Sequence, residues 1–337
     1  MNPEQHCLNC GSPDASVFLK AIDIFGDTHE YYRCNECQLV YLWPLPDEAH
    51  LKQVYNSDYY GVGEKEKFSS GMIVRVIDRF AGRRAKRFAR YLKGGARIMD
   101  VGCGNGRFLE HLHSLKRNFE LNGIEIDPGA ALRASKRLKA RAWIHTVTDI
   151  EKFFGKQSFD ALSYVHVFEH IQNPALVMDQ FEKVLRSGGS VLIVIPNIES
   201  LQAKEYKHNW FHLDPPRHLH FYPPGLLIKE MEKRGFHSEY IRYFDPEQNP
   251  YGELQSMLNL LLKKRDVLYE RLKGNFEYAP EYGRMSVFLM KLLFLLLMPL
   301  CILGDIIAAK RKNSATVEIL FRKSPAEEKI TLNHLPR

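Results

Sequence analysis

The chain has 337 residues, 45% of them hydrophobic and 26% charged, a globular composition long enough for a full α/β domain with additions. Its 47 basic residues against 40 acidic ones give a formal charge of +7, which permits an anionic partner without demanding one. The opening MNPEQHCLNC is not a basic segment followed by an apolar run, so no secretory signal is read and a cytoplasmic protein is expected.

Residues 1–46 carry two cysteine pairs, Cys7-x-x-Cys10 and Cys34-x-x-Cys37. In a cytoplasmic chain this spacing points to metal rather than disulfides, and a redox C-x-x-C would need a βαβ context that is absent here. Four thiolates satisfy tetrahedral Zn2+, so a closed structural zinc site is expected. Short β segments, Ser16–Leu19 and Leu39–Leu42, join the pairs, and Pro44 and Pro46 end the unit. Residues 47–95 form a connector and a basic helix. Tyr59 and Tyr60, before Gly61, could pack locally or close over a cofactor. Ile73, Val76, Ile77, Phe80, Phe88, Tyr91 and Leu92 recur at helical spacing, and Gly94–Gly95 stop the helix. Arg79, Arg83, Arg84, Lys86, Arg87, Arg90 and Lys93 lie among them.

From residue 96 to 246 the pattern alternates strand and helix. ARIMDVGC, LNGIEI, RAWIHTV, FDALSYVHV and GGSVLIVIP read as strands; NGRFLEHLHSL, PGAALRASKRLKA and PALVMDQFEKVLR read as helices. GLLIKEMEKRG and FHSEYIRYF add a helix and a sixth strand. Such alternation predicts an α/β fold, a parallel Rossmann-like sheet with helices on both faces. Residues 247–313 read as a helical, apolar insertion, and 314–324 as a seventh strand of the core sheet.

The first strand opens into Asp100-Val-Gly102-Cys103-Gly104-Asn-Gly106. Glycines let a backbone approach a ligand, and the next helix starts with free N–H groups. The dinucleotide fingerprint is G-x-G-x-x-G, whereas here the third glycine comes one residue early and an aspartate precedes the loop. Glu125 ends the second strand, where a carboxylate can accept both ribose hydroxyls. Asp149 follows the third strand, within reach of an adenine amino group. DVGCGNGRF, GIEIDP, the Asp149 turn and SYVHVFEHIQNP together resemble class I S-adenosylmethionine (SAM)-dependent methyltransferases over residues 70–245 and the last strand. The likeness is to the group of ubiquinone-pathway O-methyltransferases and bacterial sugar or lipid methyltransferases, some of which carry an N-terminal zinc ribbon. The resemblance implies that Asp100, Gly102 and Gly104 line the methionine side of SAM, with Cys103 between them. It places Glu125 and Ile126 at the ribose, Asp149 and Ile150 at the adenine, and His166 near the sulfonium.

Ligands of such sheets lie beyond the carboxyl ends of the strands. The loop after the fourth strand carries His166, Glu169 and His170; that after the fifth reads WFHLDPPRHLHFYPP. His220 is the first candidate for a base that takes a proton from the acceptor, then His218. Trp210, Arg217 and Tyr222 are candidate acceptor contacts, Arg217 for an anionic group. His208 and His212 have metal-compatible spacing, but no carboxylate set accompanies them.

Residues 285–309 are apolar apart from Lys291 and Asp305, and Tyr251–Leu272 reads as one partner helix. The uncharged core, Leu292–Gly304, would be about 20 Å long, short of a ~30 Å hydrocarbon layer. Its return into the sheet argues for an interfacial or buried element, one that contacts the inner face of a membrane or serves as a lid. The expected activity is methyl transfer to O or C of a small, sugar or lipid-linked acceptor. RNA or protein modification guided by the zinc module, and a non-catalytic SAM-binding scaffold, are the alternatives. No nucleic-acid partner is expected, because the fourth strand leads to HVFEH rather than an N-P-P-Y loop.

Overall fold

The structure, a computed structural model, describes residues 5–55, 71–145 and 149–325. Tyr59, Tyr60 and Gly61 lie outside the described residues. In chain order the elements are β1 (Ala15–Ile22), β2 (Thr28–Cys34), β3 (Val40–Leu42), α1 (Glu48–Val54), α2 (Gly71–Ala89), β4 (Arg97–Val101), α3 (Arg107–Ser114) and β5 (Glu120–Ile124). There follow α4 (Pro128–Leu138), β6 (Trp143–His145), α5 (Ile150–Phe154), β7 (Phe159–Val165), α6 (Pro174–Val184), β8 (Leu185–Pro196) and α7 (Leu201–Tyr206). The last are β9 (His220–Phe221), α8 (Pro224–Lys233), β10 (Phe236–Arg242), α9 (Asn249–Leu261), α10 (Val267–Lys273), α11 (Arg284–Lys310) and β11 (Thr316–Lys323).

The seven-stranded sheet runs β10-β11-β8-β7-β4-β5-β6. Neighbours from β8 to β6 are parallel, while β11 enters antiparallel between β8 and β10. This is the Rossmann-like architecture expected, with the late strand inserted near one edge. The strands are apolar on both faces because consecutive residues serve opposite cores. Met99, Leu162, Ile193 and Ile319 join one cluster; their neighbours Ile98, Ala161, Leu192 and Leu320 join the other. Helix starts follow local chemistry: Asp127 caps α4 ahead of Pro128 at its first turn, and Asp149 caps α5.

Two expectations change. Tyr251–Leu272 is not one helix, since the chain breaks between α9 and α10, where Asp266 adopts a left-handed backbone (φ +56°). The residue 46 boundary is crossed, because β9 completes a second sheet of order β1-β2-β3-β9, pairing Val40 with Phe221 and Tyr41 with His220. Tyr31, Trp210, Leu219 and Phe221 share one core cluster across that join.

The basic stretch is partly internal. Arg84 is buried and pairs with Asp245 and Glu318, and Arg87 also reaches Glu318. These two cations therefore hold α2 onto the sheet rather than face a partner.

Candidate functional site: a glycine loop facing a histidine-rich loop

The loop after β4 bends through left-handed glycines, Gly102 at φ +66°, Gly104 at +53° and Gly106 at +74°. A Cβ on Gly102 would stand 2.4 Å from Val167 Cγ2, whereas one on Gly104 would meet nothing within 4 Å. The first glycine thus lets two loops touch, and the second leaves open space where a ligand can lie. Glu125 is buried, and its carboxylate accepts from the N–H of Gly104 (2.8 Å) and of Asp127 (2.9 Å). Those two bonds lock the acid to the loop and leave lone pairs for hydroxyl donors. Burial raises its pKa.

Asp100 is also buried and accepts from Ser163 Oγ at 2.7 Å. Burial raises its pKa to about 7, with the charge of Glu125 adding to the rise. Two buried carboxyl groups thus meet at the loop, and a cation placed there would favour their ionised forms. Ser163 was not singled out from sequence; it sits in the strand FDALSYV, and only parallel register with β4 brings it beside Asp100. Cys103 is buried, with its thiol against Gly123, where a Cβ would lie 2.7 Å from the sulfur. Ile126 is 66% exposed beside the loop, Asp149 is exposed and occupied in capping α5, and Ile150 is in the core.

His166 follows β7 in a left-handed backbone, φ +55°, with its N–H donating to the Val194 carbonyl. Its ring lies 3.6 Å from Asp245 and 3.7 Å from Glu169. Burial alone would lower its pKa, but the two carboxylates raise it to about 9, so it is cationic at neutral pH. Asp245, fixed by Arg84, is a partner that no local motif marks.

The loop after β8 folds inward. His220 is buried on β9, and its Nε2–H donates to the Ile171 carbonyl at 3.0 Å. Burial lowers its pKa to about 3, which makes it a poor proton acceptor at neutral pH and corrects its place as first candidate base. His218 donates Nδ1–H to the His212 carbonyl (2.7 Å) and turns Nε2 toward Glu169. Arg217 is buried and grips Asp214 with two nitrogens, so its charge is already matched inside the protein. Trp210 and Tyr222 are fully buried, and the Tyr222 hydroxyl donates to Asn9 in the first cysteine turn. Trp210 and Tyr222, expected at the acceptor, join the loop to the N-terminal module, while Arg217, also expected there, braces the loop through Asp214.

The four cysteines converge. Cys7 and Cys37 sulfurs are 3.5 Å apart and Cys10 and Cys34 sulfurs 3.6 Å, near the ~3.8 Å edge of a tetrahedron with Zn–S bonds of about 2.3 Å. Both turns have one design. Gly11 (φ +73°) donates to the Cys7 carbonyl, and Gln38 (φ +69°) to the Cys34 carbonyl. The donor set fits a tetrahedral thiolate metal.

Residues 74–240 match the family model of a methyltransferase domain. That match covers just under half of the chain. The chain is similar over part of its length to ubiquinone biosynthesis O-methyltransferases. It is 26% identical to the mitochondrial one of Dictyostelium discoideum over 38% of this chain and 48% of that protein. It is 29% identical to that of Nitrobacter winogradskyi over 46% of this chain and 62% of that protein. The chain thus spans less than two thirds of each relative. A SAM-dependent methyltransferase from Archaeoglobus fulgidus is 19% identical, with a TM-score of 0.45 over 73% of this chain and 94% of that one.

Proposed function

We propose that this protein is a SAM-dependent methyltransferase that methylates an oxygen or carbon of a small acceptor, lipid-linked and met at a membrane surface. The observation that carries the reading is the glycine loop clasped by Glu125. It has an open side at Gly104, an acid bound to the loop, and a second buried acid, Asp100, at the strand end. A donor with a neutral diol and a cationic end suits those groups. SAM bound there would supply a methyl group on a sulfonium carbon. Gly102 and Gly104 leave backbone room, Glu125 accepts the hydroxyls, and Asp100 favours the positive end. Ile126 offers an apolar flank. His166, held cationic, cannot be the base, and the histidine left for the acceptor side is His218, whose Nε2 faces Glu169. The four cysteines would hold structural zinc, tying the β3–β9 join that shapes the acceptor loop.

The lipid-linked acceptor is supported by α11. The helix has 27 residues, about 40 Å, and turns its polar and apolar sides the wrong way for water. Its one acid, Asp305, is buried against Asn249 and Ser314, while Leu295, Leu296 and Leu300 are 64–70% exposed. Because Asp305 faces the protein, it does not interrupt the outward apolar surface as the sequence suggested. Lys310, Arg311 and Lys312 close the helix with charges suited to anionic lipid. β11 follows directly and returns to the core sheet, so the helix lies against a bilayer rather than crossing it.

Transfer from methyl-labelled SAM to lipid and aqueous extracts tests the reading. Label is expected in the lipid fraction and absent with Gly102→Ala; label confined to aqueous products removes the lipid part, and none in either fraction counts against methyl transfer.

A further inference from the structure

Glu169 lies on the turn after β7 and is 1% exposed. Neither of its carboxylate oxygens has a hydrogen bond among the described residues. An ionised interior carboxylate is strongly unfavourable without compensation, and Glu169 faces the His166 imidazolium without a hydrogen bond to it. Its neighbours are histidines. His166 Nδ1 is 3.7 Å and His218 Nε2 3.9 Å from Oε1, both beyond a hydrogen bond. One nitrogen each of His170 and His218 and one Glu169 oxygen lie within 4.8 Å of one another. The His170 and His218 rings meet edge-on with centroids 4.7 Å apart.

Both rings are oriented from behind. His218 Nδ1 is 2.7 Å from the His212 carbonyl, and His170 Nδ1 is 2.9 Å from the Arg217 carbonyl. A carbonyl only accepts, so His218 Nδ1 carries a proton and its Nε2 keeps the lone pair; His170 Nδ1 also meets the Tyr55 hydroxyl at 2.9 Å, and beside the Arg217 carbonyl it too favours Nδ1–H, with the hydroxyl accepting. Imidazoles that bind metal are held in this way, through the other nitrogen, by carbonyls or carboxylates. We propose that Glu169, His170 and His218 bind a divalent first-row transition ion, separate from the four-cysteine site. Two neutral nitrogens and a carboxylate suit Mn2+, Fe2+ or Zn2+. The ion would sit on the loops after β7 and β8, at the carboxyl edge of the sheet. A Lewis acid there would hold an acceptor oxygen and lower the pKa of a ligated hydroxyl. That catalytic part rests on the methyl-transfer reading; the binding itself does not.

The test uses full-length, zinc-loaded protein titrated with Mn2+, a hard ion ill suited to thiolates, and follows the free-ion electron paramagnetic resonance signal. One Mn2+ per chain is expected. Glu169→Gln and His218→Asn should each weaken binding at least about tenfold, and the exposed His208→Asn should not. The same samples are titrated with SAM. Lost Mn2+ with retained SAM binding, which reports a folded protein, supports the site. Mn2+ binding unchanged by Glu169→Gln overturns it. Wild-type protein that binds SAM but no Mn2+ also overturns it, showing that the His166 imidazolium is cation enough, and leaves methyl transfer standing. Mn2+ binding that depends on Glu169 in a protein that ignores SAM keeps the metal site and removes the proposed function.

Discussion

The two halves of the molecule are built in different ways. The glycine-loop half comes from consecutive strand–loop–helix units, and its key acid, Glu125, is satisfied by backbone N–H groups from its own neighbourhood. The acceptor half is assembled from four distant stretches: the cysteine turns, the β3–β9 pair, the histidine-rich loop and the α9–α11 helices. Its key acid, Glu169, has no hydrogen bond among the described residues. The same side chain, buried in both halves, is hydrogen-bonded by the fold in one and faces the His166 imidazolium without a hydrogen bond in the other. A preformed acceptor can wait for a neutral diol, whereas a carboxylate compensated by charge without hydrogen bonds keeps its lone pairs open to a closer cation.

The sharpest way to break this contrast is Gly102→Ala. The added methyl would overlap Val167 and force a left-handed backbone that an L residue resists by about 1–2 kcal/mol. SAM binding should vanish in calorimetry while the zinc content stays whole. Loss of zinc as well would mean that the halves are not separable. Next comes Cys34→Ser, which removes a buried thiol of the proposed zinc site. Metal analysis should show the zinc gone, and thermal unfolding should fall by many degrees as the β3–β9 join loosens. An unchanged melting temperature would deny the module its role in holding the acceptor loop.

A smaller effect concerns α11. The triple change Leu295→Glu, Leu296→Glu and Leu300→Glu should abolish flotation with anionic vesicles. Stability should stay within about 0.5 kcal/mol per site, because all three side chains are exposed. Equal flotation of variant and wild type would return α11 to a lid. The smallest is a pH effect. Folded Asp100 keeps its proton up to about 7, above its unfolded value. The sign follows: its contribution to stability is present below the ordinary aspartate range and is lost as pH rises through about 7. Ionised Asp100 attracts the cationic donor, so SAM affinity should rise by roughly tenfold between about pH 6 and about pH 8. Asp100→Asn should flatten that rise; a rise that survives would place the titrating group elsewhere.

What the sequence could tell follows the same division. The parallel sheet, the glycine loop, Glu125 and the four cysteines were readable because each depends on spacing within one short segment. Ser163 beside Asp100, and Asp245 between Arg84 and His166, depend on strand register and on a helix packed across the sheet, which no local pattern encodes. His220 looked available as one histidine among several in a polar loop; its pairing with Tyr41 in a second sheet buries it. The outward leucines and inward Asp305 of α11 could not be told apart from periodicity, since the run is apolar almost all round.

The most direct measurement is calorimetric titration of zinc-loaded, full-length protein with SAM and with its demethylated product. One site per chain is predicted for both, abolished by Gly102→Ala and weakened about tenfold by Glu125→Gln. Absence of heat with either ligand, or binding that ignores both substitutions, would contradict the account.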